Sequence, residues 1–196
     1  MIFFGGDAVG EIRAEIRARA GAGATAMTNR TEPDFCLRPA EQDDYPFALA
    51  LYLEGAKEHL TKIGRWDENR FVALFREGYK QGRTRIISVD DRVVGFIQVV
   101  DFADRLYLRQ IHLIDGFRGR GIGSTLIGAE LKRGAESGRP VTLDVMHGNH
   151  ARRLYVKLGF ESTGQDPDKE QMIWRAPGKS KPTTSRKRRS ASDDGN

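Results

Sequence analysis

The chain has 196 residues, 30% of them charged and 39% hydrophobic, with a formal net charge of +5, which suits one domain of ordinary size with a real core plus tails. No apolar run approaches the roughly 18 residues needed to cross a bilayer, so a transmembrane helix is excluded. The charge is uneven: residues 1–34 carry four basic and five acidic groups, 35–175 carry 22 and 20, and 176–196 carry six and two, so the basic excess lies in the tail and argues poorly for a nucleic-acid-binding body.

The N-terminal MIFFGGDAVG is short and lacks the basic leading region of a signal peptide, which argues against secretion. EIRAEIRARA has the spacing of a short exposed helix, and GAGATA reads as linker. Met27 is an expected alternative start, with the preceding residues dispensable. The single cysteine, Cys36, cannot form an internal disulfide, which points to an intracellular, cytoplasmic protein. Its neighbours in FCLR are apolar, so a buried structural thiol is expected.

Phe35 to Arg38 reads as a strand stopped by Pro39. Asp43 or Asp44 is expected to cap a helix carrying Phe47, Ala48, Leu51, Tyr52 and Leu60, and a second helix after Trp66-Asp67 places Phe71, Leu74 and Phe75 on one face. The period then changes. Thr84–Val89 and Val93–Val100 flank a turn at Asp90-Asp91-Arg92, and a further turn at 103–105 leads into Leu106–Leu113, making three antiparallel strands. A helix is expected from Ser124 to about residue 136, a buried strand over Val141–Val145, and a helix through Ala151, Leu154, Tyr155 and Leu158 closed by Gly159. Two short strands, 160–163 and 170–175, finish the body. The expected fold class is α/β, a mixed, mostly antiparallel sheet flanked by helices in three layers. The expected organisation is an N-terminal extension over 1–34, a domain over 35–175 and a disordered basic tail over 176–196.

Between the third antiparallel strand and its helix stands Arg118-Gly119-Arg120-Gly121-Ile122-Gly123. Glycines at alternate positions let the backbone approach a ligand, and the free N–H groups of the following helix face the same space, so an anion site is expected and a phosphate-bearing ligand is its natural occupant. A P-loop spacing is absent, and the dinucleotide fingerprint fails because its third glycine would fall on Ser124 or Leu126.

The run Arg-x-x-Gly-x-Gly between strand and helix resembles the acetyl-CoA pyrophosphate loop of the GNAT family of N-acyltransferases. Residues 149–160, NHARRLYVKLGF, are similar to that family's final helix and turn. The resemblance spans about Phe35 to Trp174. It implies a GNAT-like three-layer fold, an acetyl-CoA co-substrate and no metal. It also implies that the backbone of Ile111, His112 and Leu113 pairs with the pantetheine arm. The pyrophosphate would be held by Arg118, Gly119, Arg120, Gly121, Ile122, Gly123 and Ser124, with Asn149 beside the arm or capping the last helix. Tyr155 is implied as the acid facing the leaving thiolate, against a packing role. Asp144 or His112 is the expected base, each with a structural alternative. Where other members place a glutamate on the central strand, this chain offers Arg109, Gln110 and His112.

The expected reaction is direct acetyl transfer, in a ternary complex, to a small-molecule or peptide primary amine; the rival is a non-catalytic acyl-CoA-binding module. Glu54, His59, Trp66 and Asp67 are candidate acceptor-lining residues. No membrane partner is expected, nucleic acid only through the basic run 186–189, and a homodimer is left open.

Overall fold

A computed structural model describes residues 34–178. The N-terminal extension, the start at Met27 and the basic run at 186–189 lie outside the described residues.

Seven strands and four helices follow one another: β1 (Cys36–Pro39), α1 (Tyr45–Lys62), α2 (Glu68–Gly78), β2 (Thr84–Val89), β3 (Arg92–Asp101), β4 (Leu106–Leu113), α3 (Ile122–Ser137), β5 (Val141–Met146), α4 (Ala151–Lys157), β6 (Glu161–Gln165) and β7 (Lys169–Trp174). They build one sheet of order β1-β2-β3-β4-β5-β7-β6. Every neighbouring pair is antiparallel except β4 and β5, which α3 joins by a crossover, as a parallel pair requires. The mixed, mostly antiparallel sheet flanked by helices is the fold class expected from the sequence.

Local chemistry explains the joints. β2 and β3 meet through Asp90 and Asp91, both with positive φ (48° and 59°), the two-residue mirror-image turn that matches strand twist. Pro46 sits in the first turn of α1, where its missing N–H costs nothing. α3 ends on Gly138 in the left-handed region, its N–H closing on Ala135 and Gly134 carbonyls. α4 ends in the same way before Gly159 (φ 89°).

Adjacent β4 residues show the layering. His112 reaches toward Gly55 of α1, whereas Ile111 reaches toward Gly123 of α3, so α1 and α3 cover opposite faces. On the α3 side, Leu106, Leu108, Val141, Leu143, Ile127 and Leu126 are buried together. On the α1 side the filling is aromatic. Phe75, 1% exposed, lies with ring centroids 5.0 Å from Tyr52, 5.4 Å from Tyr79, 5.6 Å from Tyr45 and 6.0 Å from Phe96.

Four local expectations are corrected. Cys36 is exposed rather than buried, because β1 is an edge strand paired only to β2 and its neighbour Leu37 is exposed as well. Leu74 is 43% exposed: α2 seats Phe75 and leans Phe71 on the core, and Leu74 falls off that narrow stripe. Asp44 does not cap α1. It ends a short 3₁₀ turn, where Arg38 donates two hydrogen bonds of 2.7 Å to its carboxylate and the Glu41 N–H a third. Finally, α3 begins at Ile122, two residues before the expected Ser124, because Gly121 takes the left-handed conformation (φ 88°) as its N-cap.

Phe75→Ala removes the ring on which this aromatic layer is assembled and is expected to cost about 3–5 kcal/mol. Chemical denaturation of variant and parent measures it; a loss below about 1 kcal/mol would contradict the packing described.

Candidate active site

The site starts from a fork in the sheet. The parallel ladder between β4 and β5 covers only Leu106–Leu108 against Val141–Leu143, although the strands run on to Leu113 and Met146. From Arg109 and Asp144 onward the two strands part. The β4 edge at Ile111, His112 and Leu113 therefore faces an opening instead of a neighbouring strand, while its other edge stays paired to β3 through Ile97, Phe96 and Gly95. A register shift between Gln98 and Val99 leaves Arg109 as an extra residue in β4, a bulge that re-aims side chains at the fork.

The glycine run closes the mouth of the fork. Gly119 and Gly121 have φ of 72° and 88°, a conformation that costs L-residues about 1–2 kcal/mol. The first helical hydrogen bond of α3 is Thr125 N–H to Gly121 O at 3.0 Å, so the amides of Ile122, Gly123 and Ser124 lie ahead of it, at the positive end of the helix dipole. Gly123 has room. A Cβ there would meet Leu154 Cδ2 at 3.8 Å and Ile111 Cδ1 at 3.9 Å, ordinary contacts. The arginines are already engaged within the chain: Arg118 donates to Leu113 O at 2.7 Å and pairs with Asp115, and Arg120 lies 4.9 Å over the Phe117 ring.

The proton-handling candidates sit in contrasting surroundings. Tyr155 on α4 is buried, 5.8 Å from Phe160, and burial pushes its phenol up to about 12, so the hydroxyl stays protonated. His112 stacks on Phe96 at 5.1 Å and meets Tyr52 edge-on at 5.8 Å. Burial, helped by the Arg118 charge, pushes it down to about 4, so its ring is neutral at pH 7. Asp144 lies on the α1-side face of β5, where its Oδ2 accepts from Tyr107 Oη at 3.3 Å and from Lys169 Nζ. That hydrogen bond raises the Lys169 pKa. Asn149 turns its Oδ1 to the Ala151 N–H at 2.9 Å, the helix-start bond its position allowed.

Of the acceptor-side candidates, Trp66 stacks on Phe71 at 5.4 Å with Lys57 Nζ 5.9 Å from its ring. Asp67 caps α2 by accepting from Arg70 N–H at 3.0 Å, and Glu54 is half-buried on α1; the His59 side chain lies outside the described residues. Sequence reasoning missed Lys169, which reaches Asp144 only through the β5–β7 pairing, and Tyr107, whose partner is 37 residues away. It also missed Arg65, which ties the loop after α1 to Asp168 in the β6–β7 turn. Among the described residues no cluster of His, Cys, Asp and Glu could hold a metal, and no helix is long and apolar enough to cross a membrane.

The family model described as the acetyltransferase (GNAT) family matches residues 56–160, more than half of the chain. The chain belongs to that family. As a GNAT protein it shares its fold with many solved structures. One is the PaiA N-acetyltransferase of Thermoplasma acidophilum, in complex with coenzyme A: TM-score 0.59 and 20% identity over 73% of this chain and 99% of that one. Ard1 of Thermoplasma volcanium aligns with a TM-score of 0.55 and 22% identity over 72% and 97%. A GCN5-related N-acetyltransferase of Rhodopseudomonas palustris gives 0.59 and 17% over 77% and 100%. No curated protein matches the sequence.

Gly123→Ala is expected to fold at least as stably as the parent, since alanine gains up to about 1 kcal/mol inside a helix, while weakening acetyl-CoA through the lost close approach of the backbone. Gly121→Ala should lose stability by about 1–2 kcal/mol. Thermal unfolding and calorimetric titration of both variants check the pair; unchanged acetyl-CoA affinity in Gly123→Ala would contradict the close approach.

His112 also predicts a pH dependence. Its folded pKa lies below the unfolded value of about 6.5, so its contribution is complete above pH 6.5. It is lost as pH falls toward 4, where the unfolded chain binds a proton that the folded chain refuses. Unfolding free energies at pH 7 and pH 4.5 should fall less in His112→Phe than in the parent; equal falls would contradict a neutral buried ring.

Proposed function

We propose that this protein transfers an acetyl group from acetyl-CoA to a primary amine by direct transfer in a ternary complex. The observation that carries the reading is the fork itself: an unpaired β4 edge leading to left-handed glycines and the first turn of α3. A pantetheine arm is a strand-like chain of amides that completes such an edge. A pyrophosphate is the anion that a bare helix start receives.

In this reading Ile111 to Leu113 hold the arm through backbone bonds and present the thioester near the apex of the fork. The amides of Ile122, Gly123 and Ser124, with the flexible turn at Gly119 and Gly121, hold the pyrophosphate. Arg118 and Arg120 line the same mouth, where Arg118 also fixes the end of β4 through the Leu113 carbonyl.

The attacking amine must be neutral. An alkyl ammonium with pKa near 10.4 is only about 0.04% neutral at pH 7, so a proton has to leave the acceptor on the way in. Asp144 is the carboxylate at the apex. Its Oδ2 is occupied by Lys169 and Tyr107, which leaves Oδ1, directly or through water, for the acceptor's proton. The neutral His112 ring is too weak a base at about 4 to take that proton outright, and it serves as packing against Tyr52 and Phe96. Departure of the CoA thiolate is assisted by Tyr155. A phenol at about 12 keeps its proton against a thiolate of lower pKa, so it stabilises the leaving sulfur as a hydrogen-bond donor.

Release of CoA thiol should be measured across polyamines, aminoglycosides, amino acids and peptide N-termini, together with acetyl-CoA affinity. Turnover on at least one class is expected. Tyr155→Phe, which keeps the buried ring, should lower kcat by about 10- to 100-fold with acetyl-CoA affinity unchanged. Tight acetyl-CoA binding with no turnover on the whole panel would instead support a non-catalytic acyl-CoA-binding module and overturn the enzyme reading.

A further inference from the structure

The apex of the fork holds an unpaired cation. Arg109 is the first β4 residue past the last β4–β5 pair and the one the β3 register skips. Its side chain lies on the α1 and α2 side, against Gly78 at the end of α2, where any Cβ would collide with the guanidinium. Its charge reaches the Tyr52 and Tyr107 phenols, where it opposes the upward push of burial. Arg109 is exposed, and among the described residues no ion pair or hydrogen bond engages its guanidinium.

The surrounding charges are already paired. Asp144, on the facing strand, is held by Lys169 and Tyr107, Asp168 by Arg65, and Asp67 by the first turn of α2. Among the described residues these carboxylates are therefore already engaged, while the Arg109 guanidinium lies open beside them. Arg109 stands four positions before Leu113 on β4, about 13 Å of extended chain, which puts it far from phosphates held at the start of α3. A lone guanidinium is a planar fork of donors, matched to one carboxylate rather than to a phosphate needing several cations.

We propose that the acceptor is an amino-carboxylate, a molecule whose amine attacks the thioester while its own carboxylate is held by Arg109. This deepens the acetyltransferase reading and rests on it for the chemistry, though not for the binding. It also explains how a site lacking a carboxylate at Arg109 can favour an amine: the anion anchors the molecule and Asp144 faces its ammonium end.

Matched pairs test it: alanine with ethylamine, phenylalanine with phenethylamine, and a dipeptide with its C-terminal amide. Each is titrated against the CoA-bound protein by calorimetry and assayed for CoA release with acetyl-CoA. The carboxylate member of each pair should bind more tightly. Arg109→Gln should weaken that member by about 10- to 100-fold, in Kd and KM more than in kcat, and leave the decarboxylated partner no weaker, because a like charge is removed from its path. Arg109→Lys should restore part of the difference. No preference for the carboxylate member, or an equal loss for both members, overturns the proposal. So does weaker acetyl-CoA binding with acceptor binding untouched. A loss of stability alone would assign Arg109 to the carbonyl end of α2 and overturn it too. If CoA binds and nothing turns over, the enzyme reading fails while the titrations still decide whether Arg109 holds a carboxylate.

Discussion

Everything at this site depends on β4 and β5 pairing for three residues and then separating. A parallel pair tolerates little else on its faces than covering helices, and both strands are covered near the pair: Leu106, Leu108, Val141 and Leu143 are buried against α3. Past that point the partner strand leaves, so the β4 edge runs on to Leu113 without a neighbouring strand on that side. In the proposed function the pantetheine arm meets that edge. The crossover helix opens its first turn at the end of the same strand.

Two kinds of constraint meet there, and only one was legible in the sequence. The glycine run is local chemistry: Gly119 and Gly121 need a left-handed backbone, and no distant residue changes that, so the turn that opens α3 could be read from its spacing. The hairpin at Asp90-Asp91 and the closing of α4 at Gly159 were legible for the same reason. The start of α3 was misplaced because a glycine cap shifts the helix upstream of the first good capping side chain, Ser124.

What the sequence did not reveal depends on partners brought from far away. Cys36 looked buried among apolar neighbours, but burial is a property of strand order, and β1 falls at the edge. Asp44 looked like a cap, yet the Arg38 fork at two bonds of 2.7 Å outcompetes a helix start for it. Asp144 stood out as a lone carboxylate in an apolar strand. Its dependence on Lys169 and Tyr107 appears only when β7 is laid beside β5 and β4 beside both. Asn149 was ambiguous on paper; in the structure its Oδ1 accepts from the Ala151 N–H at the start of α4.

Burial also divides the ionisable groups around the fork into two sets. Desolvation pushes Tyr155 up and His112 down, opposite directions with one result, since each is neutral at pH 7. Other ionisable groups around the fork have a partner or access to water: Asp144 pairs with Lys169, Asp168 with Arg65, and Arg109 is exposed at the apex. The proposed thioester reaction would be served by this arrangement, because a second open charge beside the reacting carbonyl would have to be desolvated again with every acceptor. In the proposed reaction the acceptor brings an ammonium into this setting, and its affinity would follow from whether it can also satisfy Arg109. A purely cationic amine meets the guanidinium as a like charge, at a cost that rises as water is excluded. An acceptor with its own carboxylate turns the same guanidinium into an anchor.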